Sequence, residues 1–131
     1  MHERLKVVVV GGDRTAAQLV TDFTSRAFVE VVAVADMYDD SPGAVNASRL
    51  GIPFTTAVAE LADLAPDADL VIDMAQWPEV GDELRTTYPH AASGSPTVIH
   101  DAGARLVLGL AAESSDAAVG GASAPLVGAD C

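Results

Sequence analysis

Two hydrophobic periods alternate along the chain. Leu5 to Val10 is a continuous apolar run broken only by Lys6 and closed by Gly11-Gly12, the pattern of a strand buried on both faces of a parallel sheet. From Arg14 to about Phe28, Ala16, Leu19, Val20, Phe23 and Ala27 recur three and four positions apart, which lines one face of a helix. Val29 to Ala35 is a second β-branched run and ends at Asp36. After a Pro, Gly and Asp loop from Met37 to Gly43, a short helix is expected over Ala44 to Leu50, with Gly51 as its C-terminal cap.

The second half repeats the alternation. Ile52 to Phe54 predicts a short strand, and Thr55 or Thr56 can cap a helix running to Leu64 before Pro66. Asp69 to Met74 predicts the fourth strand. Past the turn Gln76-Trp77-Pro78, Pro78 suits the first position of a helix running to Arg85. Thr97 to Ile99 predicts the fifth strand, and Asp101 can cap a last helix from Ala102 to about Ala111. Strands that alternate with helices must pair in parallel through right-handed crossovers. The expected fold is therefore α/β: a single doubly wound, Rossmann-like sheet of five parallel strands in the order 3-2-1-4-5, with helices on both faces. It should occupy residues 1–113. Residues 114–131, rich in Ala, Gly and Ser without periodicity, are expected to form a disordered tail.

In such a sheet ligands bind at the carboxyl ends of the strands, near the switch between strands 1 and 4. The turn Gly11-Gly12-Asp13-Arg14-Thr15-Ala16 stands where a dinucleotide fingerprint G-x-G-x-x-G/A should stand. Gly11 suits the tight turn and Ala16 the close helix packing, but Asp13 replaces the middle glycine, with Gly12 beside it as a partial substitute. Free amides at the helix start favour an anion, and Arg14 can supply countercharge. The alternative is an ordinary turn with Asp13 as N-cap. Asp36, at the end of strand 2, can accept hydrogen bonds from ribose hydroxyls. No Arg follows in Met37-Tyr38-Asp39-Asp40 to meet a 2′-phosphate, so NAD is expected over NADP.

The runs Leu5-Lys-Val-Val-Val-Val-Gly-Gly, Val31-Val-Ala-Val-Ala-Asp36, Leu50-Gly-Ile-Pro53 and Asp69-Leu-Val-Ile-Asp73 with Pro78-Glu-Val80 resemble the N-terminal NAD(P)-binding domain of dihydrodipicolinate reductase-like dehydrogenases. The chain also resembles Rossmann modules fused to some bacterial sensor kinases, with Gly103-Ala-Arg-Leu-Val107 in their last helix. The likeness spans residues 4–111. It implies a nucleotide site at Gly11, Gly12, Ala16 and Asp36, and places Ala75, Gln76 and Trp77 in the loop beside the nicotinamide. Trp77 can serve there as a flat surface for a ligand or as a cap over its own helix. Nothing in 112–131 matches the reductase's substrate domain, so a sensor or regulatory module is expected. The alternatives are an oxidoreductase that lacks or borrows that domain, and a degenerate domain kept for protein interaction.

Charge and cysteine content trim the possibilities. With 19 acidic against 7 basic residues the net charge is −12, and the single Lys6 and scattered Arg residues form no basic stripe. Binding to nucleic acid or to an anionic membrane is not expected. Lacking an apolar run long enough to span a bilayer, or a signal-like start, the chain is expected to be cytoplasmic. Such acidity, with Lys almost absent, is expected of a protein dissolved in concentrated salt, where self-repulsion is screened. Cys131 has no partner cysteine, and the dispersed His2, His90 and His100 suggest no metal site. His100 beside Asp101 is the one acid–base candidate, set against His100 as loop filler and Asp101 as cap. Asp63, Asp67 and Asp69 read as a solvated run. The expected partner is a small molecule, with a homodimer or a separate protein partner also open.

Overall fold

A computed structural model describes residues 4–75, 77–88, 96–100, 103–107, 109, 110 and 113. The expected tail 114–131, the Asp101 cap, Gln76, His2 and His90 lie outside them. Five strands form one parallel sheet: β1 (Leu5–Val10), β2 (Val29–Ala35), β3 (Phe54–Thr55), β4 (Leu70–Asp73) and β5 (Thr97–Ile99). Their order is β3-β2-β1-β4-β5, the doubly wound arrangement that strict alternation requires. The crossovers carry α1 (Arg14–Thr24), α2 (Pro42–Leu50), α3 (Leu61–Leu64) and α4 (Pro78–Thr87), with a further helix, α5, over 103–107.

Each face of the sheet buries its own apolar cluster. Val7, Val9, Val31, Val34 and Ile72 pack with Leu19, Val20 and Phe23 of α1 and with Ala47 of α2. Val8, Val10, Ala33, Ala35 and Val71 pack with Leu61, Val80, Leu84 and Tyr88 on the other side. Val7 to Val10 of β1 are fully buried because both sets of their alternating side chains meet helices, which explains the unbroken valine run. The β1–β2 register jumps between Val7↔Val31 and Val8↔Ala33, leaving Val32 as an inserted residue. That bulge reverses the alternation, so Val29 and Val31 face one cluster while Ala33 and Ala35 face the other.

Several boundaries move from their expected positions, each through a local hydrogen bond. Helix α1 ends at Thr24 instead of near Phe28, because the Ser25 amide turns back to Asp22 O and Phe23 O. Helix α2 starts at Pro42 instead of Ala44, as the Ser41 hydroxyl accepts from Ala44 N at 3.1 Å. Gly51 adopts the left-handed C-cap, φ 74°, as its position predicts. Strand β3 falls at Phe54–Thr55. The Thr55 hydroxyl accepts from Ala57 N and donates to Glu60 Oε1 at 2.6 Å, so a 3₁₀ turn (Val58–Glu60) precedes α3. Asp67 and Asp69 do more than solvate the surface. The first pairs with Lys6 Nζ at 3.6 Å and the second accepts the Lys6 amide at 2.9 Å.

Candidate functional site

At the carboxyl edge of the sheet the chain from β1 turns through Gly11, whose φ of +129° suits glycine. A Cβ there would also lie 3.1 Å from the Met74 carbonyl carbon, so the turn is pressed against the end of β4. Gly12 is tighter still. A Cβ on it would fall 2.1 Å from Asp36 Oδ2 and 2.5 Å from Ser41 Oγ. Gly43, in the first turn of α2, donates its amide to Gly12 O at 2.8 Å, and a Cβ on it would come 2.8 Å from Gly12 Cα. Three glycines thus let the ends of β1 and β2 and the start of α2 close onto one another.

Asp36 continues the β2–β3 ladder through its amide, which donates to Thr55 O. Its half-buried carboxylate lies against Gly12 and makes no hydrogen bond among the described residues. It lines a cavity of about 490 Å³ together with Gly11, Gly12, Asp13, Tyr38, Val58, Ala75 and Trp77. Trp77 is half exposed, and its carbonyl accepts from Val80 and Gly81, fixing the start of α4. Asp13 is the N-cap of α1, its carboxylate accepting from Ala16 N at 2.8 Å. One of the amides that would greet an anion is therefore already taken.

The remaining fingerprint residues are dispersed. Ala16 is buried in the core under α1, Thr15 opens to a second cavity, and Arg14 is exposed and borders neither. That second cavity, about 980 Å³, shares Asp13, Met74 and Trp77 with the first and is lined further by Asp73, Arg85, His100 and Arg105. Among the described residues, no group of three His, Cys, Asp or Glu side chains could hold a metal, and no helix is long and apolar enough to cross a membrane.

His100 finds its carboxylate on the neighbouring strand. Its Nδ1 lies 3.0 Å from Asp73 Oδ2, and Asp73 Oδ1 accepts the Ala75 amide at 3.0 Å. The Asp73 side chain is 8% exposed and that of His100 28%. Parallel register explains the pair: Ile72 aligns with Ile99, so the next residues of β4 and β5 stand side by side. Sequence reading looked to the adjacent Asp101. Aligning the last residues of strands predicted to be neighbours would have found Asp73.

A doubly wound sheet with its cavities at the strand carboxyl ends is the Rossmann-type α/β arrangement. No protein-family model matches the chain, and no curated protein matches it. Solved structures do. A biliverdin reductase in complex with biliverdin and NADP+ from Synechocystis sp. PCC 6803 superposes with TM-score 0.59 at 16% identity, over 85% of this chain and 35% of that one. Myo-inositol 2-dehydrogenase from Lactobacillus plantarum gives 0.56 at 16% identity, over 86% and 34%. GenD2 from gentamicin A biosynthesis, in complex with NAD, gives 0.53 at 21% identity, over 76% and 35%. The chain spans about a third of the length of these structures, and at such identities the likeness establishes the fold.

Proposed function

We propose that this domain binds a nicotinamide dinucleotide, NAD in preference to NADP, and acts as a sensor or regulatory module. The observation that carries the reading is Asp36: a carboxylate with no hydrogen-bond partner among the described residues, at the end of β2, on a cavity wall and against a glycine turn. A free carboxylate there can accept from both hydroxyls of an adenine ribose. Fold relatives crystallised with NAD and with NADP+ support the ligand class. In this reading Gly11 and Gly12 give the backbone approach, and Ala75 and Trp77 border the ring of the ligand. Among the described residues, Asp13, Asp36, Glu79 and Glu83 line the same cavity with no cation, which disfavours an added 2′-phosphate.

Calorimetric titration with NAD, NADH and NADP tests the proposal. NAD should bind at least about tenfold more tightly than NADP, a difference of about 1.4 kcal/mol. Absence of heat and of thermal stabilisation with all three would sink it. A second reading is favoured by one specific observation, the Asp13 carboxylate seated on the Ala16 amide. In that reading the phosphate cradle is closed and the domain serves protein interaction. Asp13→Gly separates the two, since binding that appears only in the variant marks the aspartate as the block.

A further inference from the structure

We propose that Asp73 and His100 form a proton-linked binding site for a small 2-oxo carboxylate, in the second cavity and independent of the nucleotide reading. A carboxylate more than nine-tenths buried is costly to maintain without partners. Asp73 has two, the Ala75 amide on Oδ1 and the His100 ring on Oδ2. This arrangement fixes the ring: Nδ1–H donates to Asp73, leaving Nε2 as the atom that meets a ligand. Among the described residues the only buried polar side-chain atom without a partner is the Tyr88 hydroxyl, so Nε2, which has no hydrogen bond among them, is not fully enclosed.

The backbone holds His100 as firmly as its side chain does. Its carbonyl accepts from Gly103 N at 3.0 Å and Ala104 N at 3.4 Å as α5 begins. A Cβ on Gly103 would fall 2.7 Å from Ile99 Cγ2, so a glycine is what lets α5 fold back over β5 at this point.

Among the described residues, the charged groups that line the second cavity with His100 come from four elements: Asp73 on β4, Asp13 before α1, Arg85 on α4 and Arg105 on α5. Three of the four are committed. Asp73 holds the ring, Asp13 caps α1 and Arg85 pairs with Asp82. Arg105 has no partner among the described residues and is exposed. One guanidinium and one imidazole lining the same cavity offer a two-point donor set. The guanidinium takes the two oxygens of a carboxylate, and protonated Nε2 donates to the neighbouring carbonyl oxygen. Met74, Trp77 and Ala104 offer apolar surface to the carbon skeleton. Because a carbonyl oxygen accepts only from protonated Nε2, binding takes up a proton and strengthens as pH falls.

Long-range ¹H–¹⁵N NMR of the imidazole rings in the full chain tests this, with His100 assigned from the spectrum of His100→Gln. The neutral ring should carry its proton on Nδ1. Pyruvate and 2-oxoglutarate should shift its signals, with affinity falling as pH rises. Arg105→Gln should weaken binding by about tenfold or more, as loss of a charge-assisted hydrogen bond does. As the positioning residue, Asp73→Asn should move the ring proton to Nε2 and flatten the pH dependence. If that variant does not fold, the wild-type tautomer and pH profile decide alone. A neutral wild-type ring that carries its proton on Nε2 overturns the proposal. So does a His100 signal unmoved by both oxo acids, or moved equally by propionate or inorganic phosphate.

Discussion

The two cavities share Asp13, Met74 and Trp77 as a common wall, yet they are lined by opposite chemistry. Around the first stand Asp13, Asp36, Glu79 and Glu83 with no basic side chain among the described residues, and the remaining surface is largely apolar. Around the second, Asp13 and Asp73 are offset by Arg85, Arg105 and His100. A wall of carboxylates accepts from hydroxyl groups and disfavours an additional phosphate on a ribose. A mixed wall with an uncommitted guanidinium can hold a small anion. Under the two proposals above, the contrast divides the crevice into a nucleotide half and a carboxylate half.

The largest effect expected within this contrast comes from Gly43. A methyl group there would press on Gly12 Cα at 2.8 Å and Gly11 O at 3.3 Å, so backbone must move. Gly43→Ala should cost about 1–3 kcal/mol, the range of overpacking. A thermal melt should then fall by about 4–8 °C per kcal/mol. His100 should keep its Nδ1–H tautomer in this variant, because β4 and β5 lie on the far side of the shared wall. A disturbed His100 would show that the two cavities are one mechanical unit.

Gly12→Ala and Asp36→Ala test the carboxylate wall more finely. The atoms an added Cβ at Gly12 meets first belong to the Asp36 carboxylate and the Ser41 hydroxyl, which caps α2. Stability should therefore fall by about 0.5–2 kcal/mol, the cost of a disturbed N-cap, while the carboxylate is displaced. Both variants should lose about tenfold in NAD affinity by titration calorimetry, as expected when a hydrogen bond to a charged group is removed. Equal affinity in Asp36→Ala and the wild type would remove the sugar-binding role from the first cavity.

Much of this fold is written in local periodicity, and the site only in part. The valine run of β1 marked a doubly buried strand, and Leu19, Val20 and Phe23 marked the inner face of α1. The bulge at Val32 left no signature, because a β-branched run reads the same with one residue inserted. Asp36 was legible because its position relative to β2 identifies it. The Asp73–His100 pair was not, since its members are 27 residues apart and meet only through the β4–β5 register. Asp13 was legible as either fingerprint residue or cap, and the cap geometry is realised.

Asp13 belongs to both cavities, so replacing it should alter both, by less than the preceding variants. Asp13→Gly exchanges one accepted N-cap residue for another and should cost a few tenths of a kcal/mol. It also frees the Ala16 amide and removes a negative charge from the shared wall. NAD affinity by calorimetry should rise several-fold, as should the affinity of His100 for 2-oxo acids by NMR. A gain confined to one ligand would sharpen the contrast by assigning the aspartate to that half.

The smallest effect lies behind α4, whose first residues border both cavities. Tyr88 is buried with its hydroxyl unpartnered among the described residues, and burial raises its pKa above the usual 10.0. The sign follows from linkage: the unfolded chain ionises first, so stability contributed by the neutral phenol is present below pH 10.0 and is lost as pH rises toward the folded value. Tyr88→Phe removes both the ionisation and the unsatisfied hydroxyl. Denaturant titration should find it equal to the wild type or more stable by less than about 1 kcal/mol at neutral pH, and less sensitive to alkali. Because Phe fills the same space, NAD affinity and the His100 tautomer should be unchanged, which separates the packing beneath α4 from the chemistry above it. A steeper alkaline loss in Tyr88→Phe would mean that the phenol has a partner and that α4 is anchored through it.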